Sequence, residues 1–149
     1  MYHGIISLNM NVLVPIDGSA PANVALDHAF EQFGDDALTA LYVMDPVDGA
    51  TTWGPGSAEN WLSAAEDRAE SVLEAADDRA ATTGHSLDTD SVVGRPARAI
   101  VEYAEEHEFD HIVIGSHGRD GITRVLLGSV AETVIRRSPV PVTVVRHRE

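Results

Sequence analysis

Phe109-Asp110-His111-Ile112-Val113-Ile114 runs directly into Gly115-Ser116-His117-Gly118-Arg119-Asp120-Gly121. A short apolar, β-branched run closed by glycine reads as a buried strand ending in a turn. The same reading recurs on both sides of it. Asn11–Ile16 (NVLVPI) is a strand ending in Asp17-Gly18-Ser19, and Ser19 is placed to cap a helix with Pro21 in its first turn. Ala22, Ala25, Leu26, Ala29, Phe30 and Phe33 mark one face of that helix, which Gly34 ends. Ala37–Met44 is a second strand, and Asp45–Ser57 (DPVDGATTWGPGS) is a loop. A long helix follows over Ala58–Ala81, with Trp61, Leu62, Ala65, Ala69, Val72, Leu73, Ala76 and Ala80 on one stripe and acids between them. Leu87–Val93 is a third strand, Pro96 opens a third helix, Ser129–Arg137 is a short helix and Val140–Arg146 a fifth strand.

Strands that alternate with helices imply an α/β fold, a doubly wound five-stranded parallel sheet with helices on both faces. The length of 149 residues suits one domain, expected over residues 10–149, with residues 1–9 as a loosely held N-terminal extension.

Composition excludes much chemistry. There is no cysteine, hence no disulfide, thiol catalysis or Cys-ligated metal. All ten cationic residues are arginine, so no lysine is present for a Walker-type phosphate loop or a Schiff base. The formal charge of −14 repels nucleic acid and anionic membrane. It suits a cytoplasm of molar salt, where self-repulsion is screened within about 3 Å. Neither a secretion signal nor a membrane span is read, and the expected location is cytoplasmic. The charge is uneven: Arg119–Glu149 carries +3 and the first 118 residues −17, so an anionic ligand should prefer the C-terminal quarter.

In open parallel sheets, ligands bind beyond the carboxyl ends of strands near the switch in strand order. Pro15-Ile16-Asp17-Gly18, Val43-Met44-Asp45 and the stretch from Gly115 lie at such ends. Gly115, Gly118 and Gly128-Ser129 form G-x2-G-x9-G-S. Glycines permit close approach of backbone to an anion, and Ser129 is expected to cap the helix to Arg137, turning its first amides toward a phosphate. This is a phosphate site without lysine. A tight turn followed by a capped helix, with no ligand, is the alternative.

These segments resemble the universal stress protein family. The resemblance covers nearly the whole chain from Met10, through VLVPIDGSAPA, LYVMDP, VVGRPARAIVEYAEE and DHIVIGSHGRDGITRVLLGSVAETVIRRSPVPVTVVR. It implies a Rossmann-like sheet of the adenine nucleotide alpha hydrolase-like type. The G-x2-G-x9-G-(S/T) pattern belongs to the members that bind ATP. By position, the resemblance implies that Pro15, Asp17 and Val43 border the adenine and ribose. Gly115, Ser116, His117, Gly118 and Arg119 wrap the ribose and phosphates. Gly128, Ser129 and Val130 meet the phosphates, on which Mg²⁺ or Mn²⁺ can be held. Arg119 stands where many members place lysine. The family also implies a homodimer through the apolar edge strand Val140–Val145, where Pro141 removes one donor.

Other residues have two readings each. Asp17 is equally a turn aspartate or a metal ligand or base. His107 and His111, with Asp110, have metal-like spacing but lie on different elements, so they need not converge. His117 is a ligand contact or a solvent-facing loop residue. Trp53 is a lid or an exposed loop residue; Trp61 belongs with the core. The expected function is an ATP-binding regulator or interaction module of the stress response, with an unknown protein partner. No paired carboxylates flank the phosphate loop, and no catalytic residue is assigned. Slow ATP hydrolysis or phosphoryl transfer, and a nucleotide-free adaptor, are the alternatives.

Overall fold

The computed structural model describes residues 9–47, 58–117 and 127–146. Along them run β1 (Asn11–Pro15), α1 (Ala20–Phe33), β2 (Ala37–Met44), α2 (Ala58–Thr82), β3 (Asp88–Val93), α3 (Pro96–Glu106), β4 (His111–Gly115), α4 (Ser129–Arg137) and β5 (Val142–Val145). The expectations for residues 1–8 and for Trp53, Gly118 and Arg119 lie outside the described residues.

The strands form one parallel sheet in the order β3-β2-β1-β4-β5. The chain moves outward from β1 to β3, then returns to the other side of β1. Both faces are covered, which is why the central strands are continuously apolar rather than alternating. On one face Val12, Val14 and Ile16 pack with Ala25, Leu26 and Phe30 of α1 and Ala76 and Ala80 of α2. On the other, Leu13, Leu41, Ile112 and Ile114 pack with Ile100 and Tyr103 of α3 and Val134 of α4. Trp61 packs with Tyr42, Met44 and Ala69, as its place on the helix stripe implies.

β3 starts one residue later than the hydrophobic pattern suggests, at Asp88, and β4 and β5 each start two residues later. The Phe109 amide still closes α3 onto Ala104 O at 3.0 Å, and the Asp110 carboxylate accepts the Asn11 amide at 2.8 Å, so β4 begins at His111. Ser138 Oγ donates to Val140 O at 2.7 Å and accepts from Val140 N at 3.0 Å, tying that residue into a turn. β5 therefore begins at Val142.

The two sheet edges differ in chemistry. β3 carries Asp88 and Asp90, and the Tyr103 hydroxyl holds Asp90 at 2.6 Å. Burial, then that hydrogen bond, pushes the Tyr103 pKa well above the usual tyrosine range. β5 presents Val142, Thr143, Val144 and Val145, all half-buried. Among the described residues no helix is long and apolar enough to cross a membrane.

Candidate functional site

The β1–β4 ladder is short, and the crevice of an open α/β sheet is expected where it ends. The two strands are paired at Val12↔His111 and Leu13↔Ile112. Beyond that, β1 stays on β2 as far as Pro15↔Leu41, and β4 stays on β5 as far as Gly115↔Val145. This is the switch in strand order, the place where open α/β sheets take ligands.

Two helix N-termini reach this end of the sheet. α1 enters through Gly18, at φ +85°, a left-handed conformation that favours glycine. Asp17 Oδ1 accepts the Ser19 amide at 2.9 Å, and Ser19 Oγ accepts the Ala22 amide at 3.3 Å. Asp17 thus has the turn role, and Ser19 is the cap that its sequence position implies. Pro21, in the first turn, has no N–H to offer. A Cβ on Gly115 would stand 2.8 Å from Pro21 O, so β4 lies directly against this turn.

α4 is built differently. Its N-cap is Gly128, at φ −67° and ψ 158°, and no side chain caps it. Ser129, expected as the cap, is instead the first helical residue. The reason is local: glycine also suits the extended cap position, so Gly128 takes it and the helix starts one residue earlier than a Ser129 cap would set it. Gly128 N donates to Ser116 O at 2.7 Å, and Glu132 N donates back to Gly128 O at 3.0 Å. The amides of Ser129, Val130 and Ala131 fall at positions with no intrahelical acceptor. Ser129 is exposed, while Val130 leans on the α3–α4 side of the core. Glu132, the acid of this first turn, pairs along the helix with Arg136 at 3.2 Å.

The remaining site residues fall around these helix ends. Pro15 is buried at the end of β1. Val43, near the end of β2, packs against the same cluster as Val130. Ser116 is only 3% exposed, and its Oγ lies 3.0 Å from His117 Nδ1. Among the described residues, His117 Nε2 is shielded from solvent and has no hydrogen-bond partner. The arrangement therefore joins Gly115, Ser116, His117, Gly128, Ser129 and Val130 through the Ser116–Gly128 bond, with Pro15 and Asp17 on the neighbouring strand end. The orphaned His117 nitrogen and the crowding of Gly115 by α1 were not legible in the sequence, because each depends on burial among distant residues.

The metal-like histidines do not converge. His107 packs at a tilt against Tyr103, at 4.1 Å between centroids. His111 Nε2 meets Thr143 Oγ1 at 2.7 Å, and its burial lowers the pKa below the usual histidine value. A groove of about 720 Å³ lies between α1 and α2, but its Arg79 is held bidentately by Asp27 at 2.6 and 2.8 Å. It lies towards the C-terminal ends of both helices, away from the crevice.

The family model for the universal stress protein family matches residues 9–146. The chain belongs to the universal stress protein family. Among its relatives, universal stress protein MJ0531 of Methanocaldococcus jannaschii is 34% identical over 143 residues, covering 94% of this chain and 84% of the relative. The solved structure of MJ0577, from the same organism, superposes with a TM-score of 0.81 at 30% identity, covering 94% of this chain and 97% of that one. A universal stress protein solved in complex with cAMP superposes at 0.71 with 30% identity, covering 96% and 100%. The doubly wound sheet of this universal stress protein is thus the family's fold, and at least one structural neighbour of comparable identity holds an adenine nucleotide.

Proposed function

We propose that the protein binds ATP in the crevice beyond β1 and β4 and acts as a nucleotide-dependent regulator or interaction module of the stress response. The observation that carries this reading is the N-terminus of α4. Gly128 has a backbone conformation open to any residue, so its missing side chain is not required by the turn. Close approach of a ligand accounts for it. Three successive amides and the positive helix end then face an anion. Asp17, Pro15 and Val43 supply the border for a base and ribose, and the residues from Gly115 to His117 lie between. The neighbour solved with cAMP supports an adenine nucleotide as the ligand class.

The donors suit a divalent ion carried by the nucleotide. Among the described residues no group of three or more His, Asp or Glu side chains can hold a metal. The oxygen donors near the crevice are the Asp17 carboxylate and the Ser129 and Ser116 hydroxyls. Mg²⁺ or Mn²⁺ would thus rest mainly on phosphate oxygens, which is how Mg²⁺ usually binds. The ion would neutralise phosphate charge in a strongly acidic protein.

Mass analysis of the small molecules released when the purified protein is denatured tests the reading. Release of ATP, or saturable ATP binding in molar KCl with Mg²⁺, is expected. A protein that neither carries nor binds any adenine nucleotide contradicts it and leaves the adaptor role.

The unequal sheet edges support a homodimer through β5. The acids of β3 discourage strand pairing there, whereas the apolar β5 invites it. Val142→Lys or Val144→Lys, whichever faces the second copy, should give a monomer by sedimentation. A wild-type monomer at micromolar concentration contradicts the dimer.

A further inference from the structure

Helix α2 joins the sheet by a thin apolar seam and carries its acids on the outside. Its buried residues are Ala69, Ala76 and Ala80, while the larger Trp61, Val72 and Leu73 are only half-buried. Alanine removes little apolar area from water, so this seam holds the helix weakly. Glu66, Glu70, Glu74 and Asp78 follow one another at i, i+4, and all four are exposed. Like charges at that spacing lie about 5–6 Å apart and destabilise a helix. The two arginines of α2 do little for this row. Arg68 has Ala64, Ala65, Ser71 and Val72 a turn away, and Arg79 reaches across to Asp27 of α1 at 2.6 and 2.8 Å. From α1, Glu31 adds a further acid to the groove that Asp78 lines.

The helix is fastened unequally along its length. At its C-terminal end, the Asp27–Arg79 clasp is joined by His85, whose ring stacks on Phe30 of α1 at 5.1 Å and 5°. Two turns earlier, Val72 stands against the turn that leads into α1: a Cβ on Gly18 would lie 3.2 Å from Val72 Cγ2. Gly18 has φ +85° and sits in the turn where Asp17 holds the Ser19 amide. The middle of α2, along which the carboxylate row runs, thus buttresses the turn that carries Asp17. We propose that α2 is an ionic-strength-sensitive buttress of the crevice. As salt falls, its middle lifts from the Gly18 turn, pivoting on the Asp27–Arg79 clasp, and nucleotide affinity falls with it. Screening reaches about 3 Å at 1 M salt but about 10 Å at 0.1 M, beyond the spacing of the carboxylates, so their repulsion returns over that range. The effect on affinity rests on the reading that a nucleotide occupies the crevice; the motion of α2 does not.

Amide hydrogen exchange of the nucleotide-free protein, in KCl lowered from about 1 M to about 0.1 M, tests the motion. Amides of residues 69–73 should lose about three- to tenfold more protection than those of Leu13 and Ile112 at the centre of the sheet. A variant carrying Glu66→Gln, Glu70→Gln and Glu74→Gln should abolish that difference. A second variant, carrying Glu105→Gln, Glu106→Gln and Glu108→Gln at the end of α3, makes the same change in charge on the opposite face and should keep it. Calorimetry with ATP and Mg²⁺ then tests the coupling. At about 0.1 M KCl the α2 variant should bind ATP about three- to tenfold more tightly than the α3 variant, and at about 1 M the two should bind equally. Protection of α2 that falls only in step with the sheet, or does not fall, overturns the inference. Equal ATP affinity of the two variants at low salt, with α2 loosened as expected, overturns the regulation and leaves nucleotide binding intact. A wild type that binds no ATP at either salt concentration overturns the underlying reading instead.

Discussion

Helices α1 and α4 both point their N-termini to the same end of the sheet, yet only α4 is left open. In α1, Ser19 closes one amide, Pro21 removes another, and β4 presses against Pro21 O through Gly115. In α4, glycine caps the helix without a side chain, and the amides of Ser129 to Ala131 have no intrahelical acceptor. A helix N-terminus thus does not by itself make an anion site; what fills its first turn decides. The two described glycines of G-x2-G-x9-G-S follow the same division. Gly115 is crowded by the Pro21 carbonyl of α1, whereas Gly128 has a backbone conformation that any residue could adopt, which is the observation behind the proposed phosphate contact.

This contrast can be broken at four residues. Gly128→Val should have the largest effect. A branched side chain over the first turn should abolish ATP binding in calorimetry, while the circular dichroism spectrum stays close to wild type. Ser129→Ala comes next. It removes an exposed hydroxyl but no amide and no cap, so affinity should fall by about five- to 150-fold, corresponding to about 1–3 kcal/mol, with the melting temperature unchanged. Gly115→Ala should act through the fold instead. Its methyl meets the Pro21 carbonyl, so about 1–3 kcal/mol of stability should be lost in denaturant titration. Ser19→Ala is expected to be mildest, at about 1 kcal/mol of stability from the lost cap. Affinity for ATP, corrected for the folded fraction, should stay at the wild-type value. A Ser19→Ala protein that loses ATP binding without losing stability would show that α1, not α4, seats the phosphates.

The alternation of strand and helix was legible because covered parallel strands must be continuously apolar, and each was punctuated by glycine or proline. β2 and α4 have the limits that their patterns suggest. Limits failed where a side chain intervenes: Asp110 binds the distant Asn11 amide before β4, and Ser138 ties Val140 into a local turn before β5. The start of α4 was legible from Gly128-Ser129, but its cap was misplaced by one residue, since glycine and serine both suit an N-cap. Asp17 had two equal readings, and the structure shows its turn bond to Ser19. The unequal edges of the sheet were half legible: β5 stood out as apolar, while the clasp of Tyr103 on Asp90 joins two elements whose contact no local pattern records.

The central claim is that phosphate meets the first turn of α4. Backbone amide NMR of the wild type, titrated with ATP and Mg²⁺ in molar KCl, tests it most directly. The amides of Ser129, Val130 and Ala131 should shift strongly and together, while those of Ala20 and Ala22 in α1 move little. Shifts concentrated at Ala20 and Ala22, or none at α4 when ATP is shown to bind, would contradict it.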